Sequence, residues 1–131
     1  MVNYLAVLIA AVVSFLVGWA WYSKPVFGKV WMSLMGLKKE PKHEGMAKNL
    51  VIGFLGTLVT AYVVAYFVDM LGYMTALSGM MVGFWAWLGF VATTTVGGVL
   101  WENKPWSLWL LNNGHNLVTL LIIGAIVGAW V

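Results

Sequence analysis

The sequence contains no cysteine, so it has neither a disulfide framework nor a thiolate metal site, and thiol chemistry is excluded. Its histidines and acidic residues show no metal-ligand spacing, and its serine, histidine and aspartate residues form no recognisable nucleophile motif. The sequence therefore predicts no catalytic residues, no metal site and no cofactor. We expect that the protein is not an enzyme.

Charged residues are also scarce, at 8% of the chain, whereas 63% of residues are hydrophobic and the mean hydropathy is +0.93. This balance excludes an ordinary soluble domain, because too little polar surface remains for a chain of 131 residues. Apolar runs cover residues 4–21, 48–68, 77–101 and 115–131, and a span needs roughly 20 residues. We predict an all-α membrane protein in which four transmembrane helices form one integral membrane domain, residues 1–131.

Arginine is absent, and all seven basic residues are lysines placed asymmetrically along the chain. Six lie between the first and second apolar runs, and Lys104 lies between the third and fourth. Because lysine-rich loops are retained in the cytoplasm, we predict cytoplasmic lysine loops and both termini outside. The same bias argues against insertion in both orientations, and hence against an antiparallel dimer. Lysines beside spans are expected to meet anionic lipid headgroups, so we predict no nucleic-acid partner.

The two halves of the chain resemble each other in sequence. Residues 21–25 match residues 101–105 at three of five positions, and Lys48 and His115 each precede an Asn-Leu-Val sequence. The same parts occur twice in the same order, which favours a parallel repeat of two helix pairs about an axis along the membrane normal. Chance similarity between apolar sequences is the alternative.

A short segment follows each odd-numbered span of this repeat, at residues 26–35 and 106–113. One helical face of the first segment carries the apolar residues Phe27, Val30, Trp31 and Leu34. This spacing favours an amphipathic segment on the membrane surface, and we favour the same arrangement for the second segment. Gly114 would then end that segment, and the span would begin at His115. The alternative is one unbroken helix over residues 105–131, which would carry the neighbouring polar residues into the membrane.

Small residues recur at every fourth position on the spans, a spacing that lets helix backbones approach closely. The glycines that we assign to helix packing are Gly18, Gly53, Gly79, Gly83, Gly97, Gly124 and Gly128. Packing within one bundle is the interpretation that we favour, and self-association is the alternative.

Aromatic residues gather at the lysine-rich side of the sequence, where an interfacial belt is typical of membrane proteins. We predict that six of them are interfacial anchors: Trp21, Tyr22, Trp31, Trp101, Trp106 and Trp109. No pigment site is inferred from the nine tryptophans.

Polar residues beside or within the spans are the candidates for solute or proton binding, because such groups are costly in lipid. They are Glu102, Asn112, Asn113, His115 and Asn116. Glu102 also has a simpler interpretation as the partner of Lys104 in a surface ion pair. The asparagine cluster has two interpretations, a site inside the membrane or a cap at headgroup depth.

Several motifs resemble the family of small prokaryotic membrane proteins catalogued as domain of unknown function 1761. They are Tyr4-Leu5-Ala6-Val7, Trp21-Tyr22-Ser23, Phe27-Gly28 with Trp31, Met35-Gly36, Glu102 and Asn113. The similarity covers nearly the whole chain, and its most specific pieces are Trp-Tyr-Ser and Phe-Gly-x-x-Trp. The resemblance implies four spans and a bacterial or archaeal cell membrane, that is, the inner membrane, and it implies no assigned activity.

Two functions follow as hypotheses from these features. The first is transport or binding of a small solute or ion by a homo-oligomer, since four short helices hardly enclose a wide aqueous route alone. The alternative is a non-transporting scaffold or accessory subunit that packs against a membrane protein partner or against the lipid bilayer.

Overall fold

The computed structural model describes residues 2–36, 46–72 and 75–130, and within them all regular structure is helical. The α-helices are α1 (Tyr4–Trp21), α2 (Lys29–Leu34), α3 (Met46–Leu71), α4 (Ala76–Ala86), α5 (Thr93–Thr95), α6 (Gly97–Leu100) and α7 (Trp106–Ala129), with π-helical turns at Lys24–Gly28 and Trp87–Ala92. Four helices are long and apolar enough to cross a membrane: Tyr4–Trp21, Ala47–Leu71, Ala76–Leu100 and Trp106–Ala129. The predicted four-span helical class is confirmed.

Side-chain caps and left-handed residues set the helix ends. Oδ1 of Asn3 accepts hydrogen bonds from the backbone N–H groups of Leu5 (3.1 Å) and Ala6 (3.2 Å), which satisfies donors that α1 itself leaves unpaired. Oγ1 of Thr75 does the same for α4. Gly72 follows α3 with a φ of 72°, a conformation that glycine adopts without steric cost.

The third span, Ala76–Leu100, contains the π-helical turn Trp87–Ala92 in its middle. Three consecutive threonines follow this turn, and their hydroxyl groups donate to carbonyl oxygens in it. Oγ1 of Thr93 lies 2.8 Å from the carbonyl oxygen of Gly89, and Oγ1 of Thr95 lies 2.7 Å from that of Val91. Such bonds let a membrane helix tolerate an irregular turn, because the hydroxyl groups satisfy backbone oxygens that lipid cannot.

The third span and α7 form the closest helix pair, and four glycines lie where they cross. A Cβ atom on Gly79 would collide with the carbonyl group of Gly124 and lie 3.1 Å from Cα of Gly128, and one on Gly83 would collide with the carbonyl group of Leu120. The two backbones are therefore in direct contact. Of the other glycines assigned to packing, Gly53 has only an ordinary contact with Phe15 at 3.8 Å, Gly97 lies 3.6 Å from Trp101 of its own segment, and Gly18 faces His115.

Helix α1 packs between α3 and α7 and completes the bundle. The buried core comprises Ala6, Val7, Ala10 and Ala11 of α1, Ala61, Val64, Ala65 and Val68 of α3, Val82 of α4, and Leu120, Ile123 and Val127 of α7. This core lies in the half of the bundle that holds the N-terminus of α1 and the C-terminus of α7. The opposite half, where residues 22–36 and 101–105 connect helices, is called the lysine-rich end.

The predicted division of residues 106–131 is wrong in one respect. Helix α7 is continuous from Trp106 to Ala129, so no break separates a segment 106–113 from a span that begins at His115. Gly114 does not end the helix because the asparagines around it have hydrogen-bond partners in the bundle. The short segment expected at 26–35 is present as Lys24–Gly28 and α2, and its position relative to the lipid remains a prediction.

The internal repeat also remains a prediction, and its matched residues occupy different environments. The indole N–H of Trp21 donates to the carbonyl oxygen of Leu111 at 3.2 Å, whereas Trp101, its counterpart in the second half, is 84% exposed. The sequence similarity of the two halves is therefore not accompanied by equivalent contacts at this position.

Candidate functional site

A cavity of about 550 Å³ opens at the lysine-rich end between the third span, α7 and α2. Its lining consists of Trp31, Met35, Thr94, Thr95, Gly98, Val99, Glu102, Lys104, Leu108, Trp109, Asn112, Asn113 and Asn116. Four of the five polar candidates from the sequence therefore meet here. The continuous helix α7 causes this, since it places Asn112 and Asn116 one turn apart on the face toward the cavity.

Asn113 is the centre of a hydrogen-bond network and is only 3% exposed. Its Oδ1 accepts from Nδ2 of Asn116 at 3.4 Å and lies 3.0 Å from Oγ1 of Thr95, whose single proton is shared between this oxygen and the carbonyl oxygen of Val91. Its Nδ2 donates to the carbonyl oxygen of Trp109 at 3.0 Å. The indole N–H of Trp109 donates to Oγ1 of Thr95 at 3.2 Å. The carbonyl oxygen of Asn113 accepts from the indole N–H of Trp87 at 2.9 Å. This network fixes one wall of the cavity, because each side chain holds the next.

Tyr22 joins the end of α1 to the same wall. Its hydroxyl group donates to Oδ1 of Asn112 at 2.7 Å, and its ring contacts the edge of Trp31, with 5.9 Å between the ring centroids. Burial raises the pKa of the Tyr22 phenol, so this group remains a protonated donor at neutral pH. The bond orients the Asn112 amide and thereby directs its Nδ2 away from Tyr22.

Two amide groups in the cavity can each form a further hydrogen bond to a ligand. Within the residues that the structure describes, Nδ2 of Asn112 and Oδ1 of Asn116 have no hydrogen-bond partner. One is a donor and the other an acceptor, and both belong to cavity-lining side chains. The cavity therefore offers neutral hydrogen-bonding groups beside two indole rings, a combination suited to binding a small polar molecule.

Glu102 and Lys104 form an ion pair at the cavity edge, with 3.5 Å between Oε2 and Nζ. Asn103 between them has a φ of 57°, and the backbone N–H of Lys104 donates to the carbonyl oxygen of Gly98 at 3.1 Å. The contact expected between Glu102 and Lys104 is therefore present, and the role of Glu102 in solute or proton binding remains a prediction. The ion pair also places both charges on the cavity lining.

His115 is separate from this cavity. It lies against α1, where a Cβ atom on Gly18 would come within 2.8 Å of its Nε2, and its ring contacts the rings of Trp21 and Tyr22. Nε2 of His115 and Oγ1 of Thr119 are 3.3 Å apart and share a hydrogen bond. The sequence grouped His115 with the asparagines, but the helical period turns it to another face of α7.

Sequence reasoning missed Thr95 and the hydrogen bond that Trp87 donates to Asn113. The run of three threonines, residues 93–95, near the end of an apolar span was the available signal. Among the predicted anchors, Trp106 is 54% exposed, as an interfacial residue would be, whereas Trp109 is hydrogen-bonded inside the cavity wall. Among the described residues, no group of three His, Cys, Asp or Glu side chains is placed to hold a metal ion.

The four spans and the sequence motifs of the chain agree with one family. A family model described as "Protein of unknown function (DUF1761)" matches residues 5–128. The chain belongs to the DUF1761 family. This confirms the resemblance seen in the Trp-Tyr-Ser and Phe-Gly-x-x-Trp motifs, which in this DUF1761 protein contribute Tyr22 and Trp31 near the cavity. No curated protein and no solved structure matches the chain.

Replacing Tyr22 with phenylalanine tests the link between α1 and the cavity wall. The variant is expected to lower the free energy of unfolding by about 1 kcal/mol at pH 7, since one partly buried hydrogen bond is lost. The raised pKa means that the folded state holds the phenol proton more tightly than the unfolded chain. This contribution is therefore fully present below about pH 10 and declines at higher pH.

Unfolding in mixed micelles, followed by circular dichroism between pH 7 and 11, measures both effects. The difference between wild type and Tyr22→Phe should shrink above pH 10. Tyr66→Phe is the matched control, because Tyr66 is 47% exposed, and it should behave as wild type at pH 7. Equal stability of Tyr22→Phe and wild type at pH 7 would contradict the assignment.

Proposed function

We propose that this DUF1761 protein is a polytopic protein of the cell membrane that binds a small polar solute in the cavity and transports it as an oligomer. The observation that carries the proposal is the meeting of Asn112, Asn113 and Asn116 in one cavity. Its volume of about 550 Å³ lies within the roughly 300–1,000 Å³ typical of small-molecule sites. These residues lie within the apolar span Trp106–Ala129, and polar side chains are costly in a membrane helix, which supports a functional reason for them.

The buried and the free amides have different roles in this proposal. Asn113 uses its hydrogen bonds on the protein, so it holds the wall in place. Asn112 and Asn116 each keep one amide atom for the solute, a donor and an acceptor respectively. The solute would therefore displace water without breaking the network that positions these groups.

The half of the bundle opposite the lysine-rich end supports an oligomer or a change of conformation for transport. There the buried residues Leu120, Ile123 and Val127 are apolar, and the glycine contacts between the third span and α7 leave no space between those helices. A route through one chain in this conformation would end at this packed half. Transport therefore requires a path between copies or separation of the two helices.

The positions of the lysine-rich loops indicate how the protein is oriented in the membrane. The positive-inside rule assigns the lysine-rich end to the cytoplasm and both termini to the outside. The cavity would then open toward the cytoplasm of a bacterial or archaeal cell. The lipid bilayer is the medium of the protein, and a second copy is the partner that transport requires.

A non-transporting scaffold is a second candidate, favoured by the exposed face of α3. This helix buries Ala61 and Ala65 against the bundle, whereas Val59 (64% exposed) and Met70 (66% exposed) lie on its open side. That face would contact lipid or a membrane protein partner. Co-purification of a second membrane protein in stoichiometric amount, together with the absence of solute flux, would favour this function.

Flux through proteoliposomes tests the solute proposal. Stopped-flow light scattering under inward gradients of urea, acetamide, glycine and serine should show that at least one solute crosses faster than in protein-free vesicles. The double variant Asn112→Leu/Asn116→Leu should lower that rate about tenfold or more, because each lost hydrogen bond contributes about 1 kcal/mol and 1.4 kcal/mol is tenfold. Asn49→Leu is the matched control, since Asn49 is exposed at the start of α3.

Native mass spectrometry of protein released from nanodiscs gives the subunit number in the same preparation. A defined oligomer agrees with the proposal. Equal fluxes of wild type, double variant and protein-free vesicles would reject transport, and a bare monomer would reject the oligomeric form.

A further inference from the structure

We infer that the solute is a small zwitterion whose ammonium and carboxylate groups lie close together, as in an α-amino acid. This inference rests on the proposed function, because it concerns the occupant of the same cavity. Its basis is the juxtaposition of Glu102 and Lys104 with the free amides of Asn112 and Asn116 on one lining.

The turn that carries Glu102 and Lys104 places both residues at the cavity edge. Asn103 in the left-handed conformation reverses the chain, and the hydrogen bond from the backbone N–H of Lys104 to Gly98 closes the turn. Both side chains fold back over Gly98, where a Cβ atom would lie 3.6 Å from Oε2 of Glu102 and 3.9 Å from Cδ of Lys104. The backbone turn therefore keeps both side chains within reach of the cavity.

The charges on the cavity lining favour one class of solute over others. Of the lining residues that the structure describes, only Glu102 and Lys104 are charged, so the net charge of these residues is zero. A cation that binds Glu102 leaves Lys104 without its partner, and an anion that binds Lys104 leaves Glu102 alone. A zwitterion replaces one protein ion pair with two ion pairs to the ligand, so no charge is left unpaired.

The Glu102–Lys104 pair is also easy to open. The Glu102 side chain is 63% exposed and that of Lys104 is 52% exposed, and exposed ion pairs contribute little to stability. Their charged atoms are only 3.5 Å apart in the closed pair, so one compact zwitterion can reach both side chains when the pair opens. The remainder of the solute would lie between Asn112, Asn116 and the indole rings of Trp31 and Trp109.

A matched series of ligands tests the inference on the full-length protein in nanodiscs. Serine, glutamine and phenylalanine are each compared with three derivatives: the amino amide, which is a cation, the N-acetyl acid, which is an anion, and the neutral N-acetyl amide. Dissociation constants are measured by saturation-transfer NMR titration. At least one of the three amino acids should bind about tenfold or more tightly than each of its own derivatives, a difference of 1.4 kcal/mol.

Variants of the charged pair make the test specific to these residues. Glu102→Gln and Lys104→Gln should each weaken binding of the amino acid about tenfold. Glu102→Gln should at the same time improve binding of the N-acetyl acid, and Lys104→Gln that of the amino amide. The charge-swapped variant Glu102→Lys/Lys104→Glu should retain the amino acid within about threefold of wild type, since it offers both charges in reversed order. Size-exclusion chromatography and circular dichroism verify that each variant is folded.

Two results would overturn the zwitterion inference. In one, the neutral derivatives bind as tightly as the amino acids and are lost only in Asn112→Leu/Asn116→Leu, which leaves the cavity function intact with another solute class. In the other, amino acids bind but the Glu102 and Lys104 variants leave their affinity unchanged. Failure of every ligand to bind, together with the absence of flux, would reject the proposed function as well.

Discussion

Replacing Gly79 with alanine is expected to lower the free energy of unfolding by about 3 kcal/mol, at the upper end of the usual cost of overpacking. The added Cβ atom would collide with the carbonyl group of Gly124 and approach Cα of Gly128 at 3.1 Å. These are backbone atoms, so no side chain can rotate away, and the third span and α7 must separate. Reversible unfolding by SDS in mixed micelles, followed by circular dichroism, measures the loss.

Gly56→Ala is the matched control for this prediction. Gly56 also lies within a span, in α3, but a Cβ atom there would meet nothing within 4 Å. Alanine is favoured over glycine in a helix by about 1 kcal/mol, so this variant should be as stable as wild type or slightly more stable. Equal effects of the two substitutions would contradict the close contact between the third span and α7.

Replacing Asn113 with leucine is expected to destabilise the protein by about 2 kcal/mol, because the Asn113 side chain is only 3% exposed and its hydrogen bonds to neighbouring groups are lost. Leucine is branched at Cγ as asparagine is, so the change removes the polar atoms while the buried position stays filled. Thr95 and Asn116 would lose the oxygen that now accepts from both of them. The same SDS titration gives the change in unfolding free energy.

A double-mutant cycle with Thr95→Val isolates the contact between the two side chains. If Asn113 acts through its bond to Thr95, the two substitutions together should destabilise less than the sum of the single changes, by about 1 kcal/mol. Strict additivity would show that the two groups are not coupled. Solute flux should also fall in Asn113→Leu, since the wall that carries Asn112 and Asn116 would no longer be fixed.

The family and the architecture could both be predicted from the sequence. The motif around Tyr22 and Trp31 was sufficient to recognise the family, and the apolar runs were sufficient to predict four transmembrane helices. The first predicted span, residues 4–21, has the bounds of α1, Tyr4–Trp21, and the second, residues 48–68, falls within α3, Met46–Leu71. Bilayer thickness sets the length of such helices, so the chain has little freedom in where they begin and end.

The candidate site could be predicted only in part. Glu102 and the asparagines were identified because polar residues are unusual beside apolar spans, but the same argument included His115, which lies on another face of α7. Thr95 was not identified, since threonine is common in membrane helices and its pairing with Asn113 joins residues from two spans.

The sequence by itself determined the four spans, their order and the family, because hydropathy acts locally and the bilayer imposes the same length on every helix. The tertiary structure decided whether α7 breaks at Gly114 and where each polar side chain points. These outcomes depend on partners distant in the chain: Tyr22 for Asn112, and Thr95 for Asn113. Burying an amide in an apolar bundle is costly unless it has hydrogen-bond partners. Helix packing brings these partners together, and no local sequence pattern shows which residues they are.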